Sequence, residues 1–467
     1  MIKFVFTLLL CFIFHSQVSA QVLQLYGLTP GGGSRGQGNI FKINSDGTGY
    51  EEKFAFDSLT GFEAWGTLIQ ASDGLLYGVT ERGGPNNLGV LFSFNPLTNV
   101  YRHVQDFDST TGCLGAAELF EMNDGKLYGM LPVCGNENSG VIFSYDPLTD
   151  MYSKLFDFDS VTTGRYFTAF IKGNNGKLIG ATGNRQCSAG LIFEFDILNS
   201  NFNVLTDFCS TSGYPVGNVI QDSHGNIYSF TGMGGTATWG SLYVYPPNGN
   251  LTEIMIMAST NFGVRPVSAP LLINNEIYGM TNLNGSSGGS IFKFNKVTYA
   301  DSLLYTFNGI SGKWPNGSLR LLSDGRIYGA TWVGGINNRG VLFAFDINTN
   351  TYTKLHDFNG ADGANPTGNL IEVDTSLFYL SLENLKDPFE LKIFPNPAME
   401  VLNIKIKMEI KNLEVLISSI DGKSVFKGVF SGTHLSVFTG EFEHGVYFLT
   451  LRSPETSVTK KIIVYHQ

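Results

Sequence analysis

The strongest constraint in this chain is a period. Leu25-Tyr26-Gly27 returns as Leu76-Tyr77-Gly78 and Leu127-Tyr128-Gly129. It continues as Leu178-Ile179-Gly180, Ile227-Tyr228-Ser229, Ile277-Tyr278-Gly279 and Ile327-Tyr328-Gly329, in steps of 49 to 51 residues. A second column keeps the same period: Phe41, Phe92, Phe143, Phe193, Tyr243, Phe292 and Phe343, each three residues after a Gly. A third runs Phe56, Phe107, Phe158, Phe208, Phe307 and Phe358, with its fifth copy degenerate near Met257. Columns that share one period mark stacked structural repeats.

Inside a unit the pattern is strand only. Thr67 to Gln70 leads to the turn Asp73-Gly74. Then come Leu75 to Thr80, a Gly-rich loop, Gly89 to Phe94, the turn Asn95 to Asn99, and Tyr101 to Phe107. These segments are short and rich in β-branched and aromatic residues, separated by turn chemistry. Asp124-Gly125, Asn175-Gly176, His224-Gly225 and Asp324-Gly325 repeat the first turn, where a tight hairpin needs positive φ. Four antiparallel strands every 40 to 50 residues describe a β-propeller, in which stacked blades bury the faces that one blade leaves exposed. The aromatic columns are therefore read as packing between blades. Opening, third and fourth strand types each count to seven, so the fold class is all-β, a seven-bladed β-propeller of four-stranded blades. Residues 21–375 form it. The first unit lacks its opening strand, and Gly368 to Val373 supplies one at the far end, so the last strand should complete the first blade. Leu377-Phe378-Tyr379 resembles an eighth second strand and keeps an eight-bladed ring open as the alternative.

These units resemble the GloVer-type tandem repeats, with the pattern Leu-Tyr-Gly-x-Thr, a Gly-Gly loop, then Gly-x-x-Phe. Leu76 to Thr80, Gly83-Gly84 and Gly89 to Phe92 match it, as does Ile327 to Phe343. The resemblance implies a repeat protein found with various surface anchors, and it brings no catalytic residues with it.

The ends of the chain are different. Lys3, an apolar run from Phe4 to Phe14, and Val18-Ser19-Ala20 read as a secretory signal over residues 1–20. No later segment is long and apolar enough to be a membrane helix. After a linker at 376–388 the period stops, and residues 389–467 alternate apolar and polar side chains, as in Leu402 to Ile406 and Val446 to Leu451. This reads as a small Ig-like β-sandwich. The tail resembles the type A C-terminal sorting domain of the type IX secretion system. The matching residues are Phe394-Pro395-Asn396-Pro397, Asp421-Gly422-Lys423, Gly445-Val446-Tyr447 and Lys460-Lys461-Ile462-Ile463-Val464. The resemblance implies that the secretion machinery is a partner of residues 389–467. It further implies passage from a Gram-negative periplasm to the outer-membrane surface or the medium, the cargo being anchored or released.

Chemistry is sparse in the ring. Only His103, His224 and His356 lie in it, none spaced for metal ligation, so neither a metal nor a cofactor is expected. A net charge of −10 gives no reason to expect nucleic acid. Asp106-Phe107-Asp108 and Asp157-Phe158-Asp159 recur at strand ends, which favours a turn role over glycosidase or calcium chemistry. Asp57-Ser58-Leu59 and its copies at 108 and 159 resemble an acceptor motif for bacterial O-glycosylation. Once the signal is removed, Cys113, Cys134, Cys187 and Cys209 remain. Of their three pairings, 113–134 and 187–209, each closing a short loop, form the working hypothesis.

One column varies while its framework does not. Entering the innermost strands stand Glu63, Leu114, Arg165, Tyr214, Arg265, Trp314 and Asn365, spaced 49 or 51 residues apart. They should ring one channel mouth. Loops between second and third strands should open on the same face, adding Arg35, Arg82, Arg185, Trp239, Trp332 and Arg339. Arg and Trp on loops of a rigid scaffold are the usual material of recognition surfaces. The expectation is a non-catalytic surface module that binds glycan or a surface protein at this mouth. The alternatives are a polysaccharide-acting enzyme using carboxylates there, and a purely structural adhesion protein.

Overall fold

The computed structural model describes residues 22–374 except 116–117, 160–162, 164, 168, 184–188, 210, 212, 258–262 and 284–287, together with 377, 391–419, 424–453 and 457–465. The signal segment, Phe378-Tyr379 of the eighth copy, and Asp421-Gly422-Lys423 lie outside the described residues. The chain is an all-β propeller. Among the described residues there are seven antiparallel sheets of four strands, two of them with the inner strand split in two, and a further sheet in the tail. In the second blade the strands run Ile69–Gln70, Leu76–Val79, Val90–Asn95 and Val100–Asp106, from the innermost outward. In the first blade Gln24–Thr29 pairs with Ile371–Glu372 from the far end of the repeat region, with Tyr26 opposite Ile371.

Seven separate cores, one at each junction between neighbouring blades, run round the ring. One of them joins Leu25 and Phe41 of the first blade to Tyr328 and Leu342 of the seventh, so the ring is closed by packing as well as by strand pairing.

The repeat motif is explained by two contacts. The Phe of the second column lies opposite the Gly of Tyr-Gly on the neighbouring strand, as Gly78 does Phe92. A Cβ at Gly78 would come within 2.6 Å of the Phe92 ring, and at Gly329 within 2.6 Å of Phe343. The Gly three residues before that Phe has positive φ in every blade but the fourth, 92° at Gly89, and the Gly89 carbonyl accepts the N–H of Phe107. The same bond recurs in all seven blades, and in the fifth the donor is Met257, fully buried like the phenylalanines it replaces.

The Asp-Gly turns differ from the expected tight hairpin. Ala71 N donates to Leu75 O and Gly74 N to Ala71 O, and only the glycine has positive φ, 86°. This is the three-residue loop with a glycine bulge. Asp73 then serves twice, accepting the Leu75 N–H and, at 2.7 Å, the Tyr77 hydroxyl, which ties the turn to the tyrosine of the repeat.

At the outer rim, rings of adjacent blades stack face to face: Phe54 on Tyr101 at 4.1 Å and Tyr305 on Tyr352 at 4.2 Å. The closing junction uses His356 on Tyr50 at 4.1 Å instead, with His356 Nε2 3.0 Å from Asp362 Oδ2. Burial pushes the His356 pKa below its ordinary 6.5, against the pull of Asp362. The folded ring thus holds the imidazole neutral where the unfolded chain would take up a proton. Stability from this junction is therefore full above about pH 6.5 and falls as pH drops from there toward the lowered folded value. In His356→Tyr, the residue of the sixth blade at this place, thermal midpoints should fall less between about pH 7 and pH 5 than in the native chain. Equal slopes would remove His356 as the source.

In the tail, Lys392–Phe394, Val401–Ser419, Ser424–Phe438, Gly445–Arg452 and Ser457–Val464 form one five-stranded sheet rather than two separate ones. The two long strands lose register between Lys405 and Leu413, and residues from both of their halves, such as Ile404 and Val415, share one core.

Candidate functional site

The mouth column has one backbone task. Leu114 N donates to Leu88 O, Arg265 N to Trp239 O, Trp314 N to Gly288 O and Asn365 N to Arg339 O. Each bond ties a blade's inner strand to the loop of the preceding blade. The reach requires left-handed backbone: φ is 55° at Glu63, 58° at Leu114, 59° at Arg265, 55° at Trp314 and 58° at Asn365. For a non-glycine residue that conformation costs about 1–2 kcal/mol. Architecture therefore favours glycine here, and the chain instead carries five different side chains.

The loop residues gather on the same face. Glu63 pairs with Arg82 at 3.2 Å. The Arg265 guanidinium lies 5.7 Å from the Trp239 ring, and the Lys313 ammonium 5.0 Å from the Trp314 ring. Asn365 Nδ2 donates to Trp332 O at 2.9 Å, and Trp332 meets Trp65 edge to face at 5.9 Å. All four tryptophans of the chain thus lie at this end. Tyr214, Trp239, Trp314 and Trp332 are 36%, 43%, 39% and 38% exposed. Arg339 contributes its carbonyl, and Arg35 turns aside to pair with Asp57. Arg165 opens an inner strand, but its side chain, like all of Arg185, lies outside the described residues.

Cys113 and Cys134 are joined in a disulfide that links two mouth loops of the third blade. Cys209 is also disulfide-bonded; Cys187 lies outside the described residues. Of the Asp-Phe-Asp pairs, Asp108 caps a turn, whereas Asp106 pairs with His103 and Asp157 accepts from Asn136 and Lys154. Asp108 Oδ1 accepts N–H groups of Thr110 and Thr111, and although burial pushes its pKa up, these donors hold it at about 2. Ser58 and Ser109 of the acceptor-like motif are exposed. No group of three His, Cys, Asp or Glu side chains that could hold a metal ion occurs among the described residues.

Behind the mouth lies a cavity of about 280 Å³ on the ring axis, lined by Trp65, Glu118, Asn218, Asn316, Ser318 and Asn369 among others. Blades approach closely through glycine in its wall: a Cβ at Gly317 would lie 2.1 Å from Thr367 O, and at Gly368 2.2 Å from Gly66 O. Side chains stitch the same level together. Ala269 N donates to Ser318 Oγ, Ser318 N to Asn369 Oδ1 and Asn369 N to Thr67 Oγ1. Across it, Arg320 of the seventh blade donates to Glu118 Oε1 of the third at 2.9 Å, and Asn218 of the fifth reaches Oε2 at 3.4 Å.

Sequence reasoning singled out the mouth column and missed this pair. Its signal stood four and six residues past the mouth column. Glu118 shares a register with Thr67, Ala169, Asn218, Ala269, Ser318 and Asn369. Arg320 shares one with Ile69, Phe120, Ile171, Ile220, Leu271 and Ile371.

In the sorting tail, Asn396 Oδ1 accepts the Ile463 N–H at 2.8 Å and Asn396 Nδ2 donates to Lys461 O at 3.3 Å. The Pro395-Asn396-Pro397 and Lys460-Lys461 motifs thus meet. Tyr447, after Gly445, is buried, its hydroxyl on Glu443 O.

Two family models match the chain. The Gloeobacter/Verrucomicrobia repeat matches residues 15–189 and 171–384, and the secretion system C-terminal sorting domain matches residues 392–465. No curated protein matches. Among solved structures, the chain is similar to PorZ, described as a surface component of the type-IX secretion system of Porphyromonas gingivalis. That likeness has 15% identity and a TM-score of 0.39, over 95% of this chain and 58% of that one. TolB from Acinetobacter baumannii is 11% identical at a TM-score of 0.38, over 60% of this chain and 62% of that one. The β-propeller domain of the Trilobed protease from Pyrococcus furiosus is 8% identical at 0.43, over 70% and 88%. The chain spans about three fifths of the length of the first two, and these likenesses are too remote to bear on function.

Proposed function

Because the chain belongs to the Gloeobacter/Verrucomicrobia repeat family and ends in a sorting domain that implies secretion through the type IX system, we propose that its ring is a non-catalytic binding module. It works at the cell surface or beyond it, and takes a glycan or a surface protein at the channel mouth. The observation that carries this reading is the mouth column. A position that would be less strained as glycine holds Glu63, Arg265 and Trp314 in left-handed backbone, and their side chains share one face with all four tryptophans. Exposed Trp and Arg on a rigid frame supply most of the energy in recognition surfaces.

The test is substitution at the mouth. Trp314→Ala and Arg265→Ala should each weaken binding about tenfold or more, with thermal midpoints close to native. Trp314→Gly should weaken binding equally while stability stays level or rises by up to about 1 kcal/mol, since left-handed strain is relieved. Full binding by all three variants would defeat the reading.

One pair favours the enzymatic alternative. Burial raises the Glu81 pKa, and the neighbouring Glu63 charge raises it further, as in carboxyl groups that hold a proton for catalysis. Turnover of a polysaccharide that disappears in Glu81→Gln would establish it.

A further inference from the structure

Resting on the mouth-binding reading, we propose that the axial cavity is an end-on site for the terminal residue of a glycan, and that Glu118, which lines it, and Arg320, paired to Glu118, read a pair of adjacent hydroxyls on it. The repeat shows that neither residue is there to build the ring. At the register of Glu118 other blades use small side chains, and Ser318, Asn369, Asn218 and Thr67 each accept a backbone N–H from the preceding blade. Glu118 is instead turned across the axis. At the register of Arg320 every other blade has Ile, Leu or Phe. Two departures from two columns, in blades that are not neighbours, meet at 2.9 Å.

The shape of the site selects the end of a chain. About 280 Å³ lies just below the range of about 300–1,000 Å³ typical of small-molecule pockets, room for one sugar-sized group. An ion pair spanning the axis stops a chain from threading through. The wall is held close at Gly317 and Gly368, where neighbouring blades leave no room for a side chain.

The chemistry selects a neutral polyol. An apolar ligand would strip water from the remaining hydrogen-bonding capacity of Glu118, Asn218 and Asn316, which is costly. A carboxylate ligand would meet Glu118, and an ammonium would meet Arg320. Adjacent hydroxyls suit both: the carboxylate accepts O–H groups while the guanidinium donates to their oxygens. A further donor is at hand, because the buried Trp65 Nε1 has no hydrogen-bond partner among the described residues, and Trp65 lines this cavity. Exposed tryptophan faces at the mouth offer flat apolar surface to the C–H face of a following sugar.

The test titrates the full secreted chain with methyl hexopyranosides, and with di- and tetrasaccharides carrying the same residue at their non-reducing end. At least one series should bind, with affinity little changed beyond two sugars, and O-methylation of the terminal adjacent hydroxyls should abolish it. The double variant Glu118→Thr/Arg320→Ile uses residues that other blades hold at these registers. It should lose about tenfold or more in affinity at a near-native thermal midpoint. Should it fail to fold, Glu118→Gln keeps the volume, and native affinity there would overturn the proposal. Loss in Trp314→Ala with native affinity in both channel variants would sink the end-on site and leave the mouth reading standing. Loss in none would sink both. Binding to no saccharide of the panel would overturn the glycan proposal and leave a protein as the mouth's ligand.

Discussion

Gly89→Ala should destabilise the ring by roughly 2–5 kcal/mol, a large part of the 5–15 kcal/mol that holds a typical domain together. Two effects add. At φ 92° an alanine carries the left-handed penalty of about 1–2 kcal/mol. Its Cβ would also stand 2.2 Å from Thr80 O and 2.9 Å from Glu81 O, both backbone atoms, so strands must part at a further cost of about 1–3 kcal/mol. Gly125→Ala is the control. Its φ is 75° and nothing lies within 4 Å of the added Cβ, so only the conformational penalty applies. Urea midpoints should therefore fall much further for Gly89→Ala than for Gly125→Ala. Equal falls would show that the close approach to Thr80 is not what this glycine serves.

Removing residues 389–467 should abolish display of the ring at the cell surface and in the medium, and trap it in the periplasm. The sheets and junction cores of the ring all lie before residue 375, so the shortened chain should keep the native β-sheet circular dichroism. A smaller change should reproduce much of the loss. Asn396 holds Lys461 O and Ile463 N, so its side chain clips the first strand region of the tail to the last. Asn396→Ala frees that N–H, a loss of about 0.5–1.5 kcal/mol at the last strand. Surface protein should then fall several-fold on immunoblots of cell fractions. Undiminished surface protein from the truncated chain would mean that export does not depend on the tail.

The blade itself was legible in the sequence because its rules are local and repeated. The Tyr-Gly, Gly-x-x-Phe and Asp-Gly columns report contacts within one blade or with its neighbour, and each is written several times over. Met257 shows how far this goes. Its column looked degenerate, yet the position could be placed by period, and the structure puts its N–H on Gly240 O and buries it fully. The mouth was legible for the complementary reason, as a column whose side chains vary on a fixed frame. Its left-handed backbone was not, since Glu, Leu and Trp give no local signal for positive φ. Turn chemistry was half legible: Asp73-Gly74 marked a turn, while its loop length depended on where Ala71 and Leu75 pair.

Period and patterning by themselves determined the all-β repeat fold, the strand order within a blade, the face on which Trp and Arg collect, and the tail as a separate object. Only the tertiary structure decided what meets across the axis. Arg320 and Glu118 stand 202 residues apart, in blades that never touch along the ring, and Trp332 finds Trp65 in the same way. A repeat announces contacts that recur in every copy. A contact made once, through the centre of a closed wheel, exists only when the last strand has paired with the first and set the distance between them.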